Sequence, residues 1–122
     1  MESILTSVKK LLGIDDEYTH FDMDIIMHIN SVFAVLTQLG VGPSEGFSIT
    51  DQYATWDDFF QNTLYMEMVK SYMYMKVRLM FDPPTSSSVL SAMERQISEL
   101  EWRINFTAEV NNSSSEEEIQ NG

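Results

Sequence analysis

The sequence predicts an all-α fold: a small bundle of four to five helices joined by short connections. Three observations carry this. Apolar residues recur at three- and four-residue spacing through most of the chain. Glycine and proline fall between these stretches rather than inside them. The strongest run, "LYMEMVKSYMYMKVRLM", ends on "FDPPTSSSVL", where a new period begins at once.

The first helix spans residues 2–12, with Ile4, Leu5, Val8, Leu11 and Leu12 in phase. Lys9 and Lys10 suit the negative end of its dipole, and Gly13 is its stop. "IDDEYTHFD" is a polar connector. A second helix runs from about 22 to 39, with Asp22 and Asp24 at its positive end and Gly40 after it. Beyond its main stripe of Phe21, Ile25, Ile29, Val32, Phe33, Leu36 and Leu39, it carries Met23, Ile26, Met27, Ala34 and Val35. A helix apolar on most sides is expected at the centre of a bundle.

Residues 40–55 form a Gly-rich loop, from which Phe47, Ile49 and Tyr53 are expected to dip into the core. The stretch "FSITDQYAT" also accommodates a small β-hairpin. Thr55 and Asp58 read as a capping box with Asp in place of the commoner Glu, so a helical turn starts at Trp56. The next helix covers about 64–81, either continuous with that turn or capped separately by Asn62 and Thr63.

Asp82, Pro83 and Pro84 cannot extend it. Ser86, Ser87 or Ser88 can cap the helix that follows, from about 89 to 108, whose buried side is Val89, Leu90, Met93, Ile97, Leu100 and Ile104. So short a corner makes the two long helices antiparallel neighbours. The tail "NNSSSEEEIQNG" has no apolar period and the composition of a disordered acidic segment, which divides the chain into a helical domain, 1–110, and a tail, 111–122, disordered or ordered by a partner.

Composition excludes several function classes. Nineteen acidic residues against seven basic ones give a formal charge of −12, the reverse of a nucleic-acid-binding footprint. With no cysteine there is no disulfide, thiolate metal site or thiol nucleophile. The N-terminus lacks the charge pattern of a signal or transit peptide, and no apolar run is long enough for a membrane span, so a soluble intracellular protein is expected. His20 and His28 stand without metal-ligand spacing, and the carboxylates of "IDDEY" and "WDD" lack the glycine and alternation of a calcium loop. The serines at 86–88 have no nucleophile-elbow context, and "GVGPSEG" has no lysine and no strand-to-helix setting. No cofactor is implied and no enzyme is expected.

The methionines are more informative. Of nine, six lie between residues 66 and 93. With the neighbouring tyrosines they coat more than one face of the helix at about 64–81, and methionine serves in both cores and interfaces. Tyr65, Met66, Tyr72, Met73, Tyr74 and Met80, with Phe47 and Ile49 of the loop, are therefore the candidate subunit or partner interface. Asp82, Pro83, Pro84 and Ser87 form the helix–helix corner.

The segments "ILTSVKKLLGI", "LTQLGVG", "WDDF", "YMYMKVRLMFDPPTSS" and "ERQISELEWRIN", taken together over about residues 2–108, resemble the head–tail connector (adaptor) proteins of long-tailed bacteriophages, in versions from phages and prophages of Gram-positive bacteria. "KVRLMFDPP" is the most specific part. The resemblance implies a helical bundle that assembles with itself as a ring, typically of twelve copies, beneath the portal protein. Such a ring extends the DNA channel, offers a docking surface to stopper or tail-completion proteins, and lets DNA pass without specific binding. It implies a place in the virion neck, assembly in the host cytoplasm and no contact with membrane. A different reading of the same size and charge is a small acidic inhibitor that imitates DNA and blocks a host nuclease or restriction enzyme.

Overall fold

The computed structural model describes residues 2–61 and 65–121, with side chains through residue 110. It holds five helices: α1 (Ile4–Leu11), α2 (Asp22–Gln38), α3 (Trp56–Phe59), α4 (Met66–Phe81) and α5 (Ser87–Asn121). The fold is a small all-α bundle, with no strand among the described residues.

Helices α1 and α2 end as their glycines predict. After α1, the Gly13 N–H donates to the Lys10 carbonyl at 3.1 Å and the Ile14 N–H to that of Lys9 at 2.9 Å. After α2, Gly40 donates to Thr37 at 3.1 Å and Val41 to Leu36 at 2.9 Å. Both are Schellman closures, and the second sets Val41 into the core. The sequence α3 was expected to start is also present. Thr55 Oγ1 accepts from the Asp58 N–H at 3.3 Å, and Asp58 Oδ2 accepts from the Thr55 N–H at 2.9 Å.

The loop between α2 and α3 is not a hairpin. The side-chain amide of Asn30, on α2, takes both backbone groups of Ile49: its Oδ1 accepts from the Ile49 N–H at 2.8 Å and its Nδ2 donates to the Ile49 carbonyl at 2.9 Å. Ile49 thus has nothing left for a ladder, and it is buried. The loop's far end is held by the N-terminus instead. Ile4 donates to the Ala54 carbonyl at 3.0 Å, Ser3 Oγ to that of Gln52 at 2.6 Å, and Ser3 and Thr55 form an isolated bridge. Of the three residues expected to dip inward, Ile49 and Phe47 do; Tyr53 is 76% exposed.

Gly42 lies in this loop at φ +83°, and a Cβ there would overlap the Phe59 ring. That ring cannot swing away, because Phe33 and Phe47 pack on it at 4.7 and 5.3 Å. Gly42→Ala is expected to cost at least about 2 kcal/mol, from left-handed backbone and overpacking together, read as a lowered urea midpoint.

The central helix is α4, where the sequence pattern suggests α2. Helices α1, α2 and α5 all pack on α4, and its Val69, Tyr72, Met73 and Val77 are fully buried. Helix α2 instead lies on the outside, with Met23 80% and Met27 65% exposed. The rings of Phe21 and Phe81 meet at 5.3 Å, which sets the start of α2 beside the end of α4. The separate capping of α4 by Asn62 and Thr63 lies outside the described residues.

At the corner, Asp82 leaves helical geometry at φ −148°, ψ 73°, as a residue before proline must. Ser86 then opens α5, its carbonyl accepting from Leu90 at 3.0 Å and its Oγ from Val89 at 3.5 Å, so the helix starts at Ser87 rather than near 89. Returning antiparallel to α4, it brings Glu101 Oε1 within 2.7 Å of the Tyr72 hydroxyl. Its backbone stays helical through residues 111–121, where the composition suggests disorder. Extending an existing helix needs no new nucleus, and Glu and Gln are good helix formers. At 1.5 Å per residue α5 is roughly 50 Å long against roughly 24 Å for α4.

Candidate assembly surface

The residues expected to meet partners fall into three groups. Tyr65, Met66, Tyr72, Met73 and Ile49 are buried within the protomer. Phe47 and Tyr74 are half-buried, and the Tyr74 hydroxyl accepts from Arg78 Nη1 at 2.9 Å. Met80 is 42% exposed. The bundle surrounds α4 with three helices, so most of its methionine and tyrosine surface is already covered. At the corner, Asp82 and Pro83 are exposed, Pro84 is half-buried and Ser87 is exposed in the first turn of α5.

The apolar surface that does reach solvent lies on other helices. On α5, Trp102 (67% exposed), Phe106 (53%) and Val110 (46%) form one stripe. The Trp102 and Phe106 rings stack at 5.4 Å with only 6° between their planes. On α2, Met23, Met27 and Ala34 form a second exposed stripe. Exposed apolar side chains grouped on one face of a helix mark interaction sites. The sequence held a signal for the α5 stripe. Residues 102, 106 and 110 recur every fourth position, out of phase with Ile97, Leu100 and Ile104, which face α4.

Polar side chains fix the frame beneath these stripes. Lys9 is buried, and its ammonium donates to the Asp16 and Tyr18 carbonyls at 3.0 and 2.8 Å and pairs with Asp22 at 2.9 Å. It thereby ties the 13–21 connector to both α1 and α2. Asn105 Nδ2 donates to the Leu39 carbonyl at 3.3 Å, joining α5 to the end of α2. Burial, then the hydrogen bond to Glu101, then the charge of Glu101 push the Tyr72 phenol pKa strongly upward. The folded state therefore holds this proton more tightly than the unfolded chain. The resulting stability is complete below the ordinary tyrosine pKa of about 10 and is lost as pH rises above it. Urea midpoints are expected to fall more steeply above about pH 10 for the natural chain than for Tyr72→Phe. At neutral pH that substitution costs about 1.5 kcal/mol, because Glu101 is near enough to solvent to rehydrate.

Among the described residues no set suited to catalysis emerges. His20 is exposed against Phe21, and His28 is half-buried near Phe81. Among the described residues no cluster of His, Asp and Glu could hold a metal ion. A groove of about 1050 Å³ runs between α1, α4 and α5. Two of its three cations are offset by its own acids: Lys70 by Glu2 and Glu67 at 3.7 and 3.9 Å, Arg103 by Glu99 at 2.7 Å. Among the described residues no helix is long and apolar enough to cross a membrane.

Exposed apolar stripes on the outer helices of a bundle suit contact with other chains. The sequence model of the phage connector protein family matches residues 4–111, and the chain belongs to that family. Its role is accordingly structural, of the phage-connector type, exercised in assembly with other phage head and tail proteins. No curated protein and no solved structure matches the chain.

Proposed function

We propose that the chain is a head–tail connector that assembles as a ring, of twelve copies in the virion, beneath the portal protein. The ring extends the DNA channel and receives the stopper or tail-completion protein. The observation that carries this reading is family membership across residues 4–111, nearly the whole helical bundle. The exposed stripes on α2 and α5 support it, since a ring requires each copy to keep apolar surface for its neighbours. A charge of −12 suits a channel that DNA traverses without binding. The protein acts without cofactor or catalysis, in the neck of the particle, after assembly in the host cytoplasm. Residues 1–110 form the connector domain, and the segment from 111 onward takes its final position against the portal or a neighbouring copy.

The test is negative-stain microscopy of the purified chain mixed with the portal protein of the same phage. Portal rings capped by an extra ring of density are the expected result. Absence of portal binding, together with stable binding to a host nuclease, would support the acidic-inhibitor reading instead.

A further inference from the structure

We infer that neighbouring copies join through the two exposed stripes: Trp102 and Phe106 of α5 in one copy pack on Met27 and Ala34 of α2 in the next, with the two helices parallel. This rests on the connector reading.

The stripes are different surfaces of one chain. A contact between them is head-to-tail, the kind that closes into a ring. Their chemistry is complementary as well: methionine thioethers pack favourably on aromatic rings, and Trp and Phe supply the anchors typical of interface centres.

Direction follows from the fold. The Phe21–Phe81 contact sets the start of α2 at the corner end of the bundle, where α5 also starts. The Asn105–Leu39 bond sets the end of α2 beside the middle of α5. The two helices therefore run the same way within a copy. Rotation about an axis inclined to the bundle keeps them close to parallel between copies and slides α5 of one copy along α2 of the next.

Charge selects the same direction. Arg95 stands on the Trp102 side of α5, two turns before it, and Asp24 adjoins Met23 at the start of the α2 stripe. Both are exposed, and among the described residues neither has an ion-pair partner. In parallel packing with Arg95 beside Asp24, Trp102 comes level with Ser31, between Met27 and Ala34. Phe106 then lies beside Ala34, and Glu109 comes level with uncharged Gln38. Antiparallel packing of the same stripes brings Glu109 within about a turn of Asp24 and carries Arg95 to the uncharged end of α2.

The chain has no cysteine, so single thiols can be added cleanly. Ser31→Cys on α2 and Ser98→Cys on α5 replace exposed residues at the edges of the two stripes. Rings assembled on portal protein are treated with a short bismaleimide. The double variant is expected to give a ladder of linked chains, and an equal mixture of the two single variants to give linked pairs. Either single variant alone gives none. Rings that form without a link between positions 31 and 98, or that link through Ser98→Cys alone, overturn the inference and leave the connector reading standing. Failure to form any ring on the portal overturns both. The charge pair is read separately. Arg95→Glu and Asp24→Lys are each expected to weaken ring formation at least tenfold, and the two together to restore it. Unchanged assembly in either single variant would overturn the parallel register.

Discussion

Lys9→Ala is expected to lower the stability of the protomer by about 3 kcal/mol, the low end of the range for breaking a buried ion pair. The low end applies because the Asp22 side chain retains 21% exposure and can recover some hydration. What remains costly is that three groups lose their partner at once: the ion-paired Asp22 carboxylate and the hydrogen-bonded carbonyls of Asp16 and Tyr18. The connector between α1 and α2 would loosen with them. Lys10→Ala, one residue along on the exposed side, is expected to change stability by no more than about 0.5 kcal/mol. Urea unfolding followed by circular dichroism measures both; equal midpoints for the two variants would mean that the buried ammonium holds nothing.

Phe33→Ala is the second large effect, at about 4 kcal/mol. The Phe33 ring is fully buried and touches Phe59 at 4.7 Å, Phe47 at 5.0 Å and Trp56 at 6.3 Å. It is the point at which α2, the Gly-rich loop and α3 converge, so its removal opens a cavity that none of the three can close alone. For a domain whose whole stability is typically about 5–15 kcal/mol, that is a large share. Met27→Ala, on the outer face of the same helix, should leave the urea midpoint within about 0.5 kcal/mol of the natural chain. The same substitution should weaken ring formation. A stability loss at Met27 comparable to that at Phe33 would mean that α2 is buried on both sides.

The pairing of these two residues shows what the sequence makes legible. Local signals are read correctly where one residue acts on its own backbone: Gly13 and Gly40 as stops, Thr55 with Asp58 as a box, Asp82 before Pro83 as a corner. Signals that depend on a distant partner are not. Lys9 has the pattern of a cation at a helix end, and only the fold folds the connector back over it. Asn30 gives no hint that its amide will take both backbone groups of Ile49, nineteen positions away. The choice of central helix fails for a related reason. Helical spacing tells how wide an apolar face is, and α2 and α4 are both wide, but the number of neighbours is set by topology. Helix α4 has α1, α2 and α5 around it, so its Met66, Met73 and Met75 are enclosed while Met23 and Met27 are not. Surplus apolar surface was legible as a quantity, and the recurrence of residues 102, 106 and 110 signals its place on α5; that α2 rather than α4 leaves the rest in solvent was not legible.

The most direct measurement is a cryo-electron microscopy structure of this chain bound to its portal. The expected result is a closed ring in which Trp102 and Phe106 of each copy rest on Met27 and Ala34 of the next, while Tyr72 and Met73 stay inside their own bundle. A ring held together by α4 surfaces drawn out of the bundle, with the Trp102–Phe106 stack left in solvent, would contradict it.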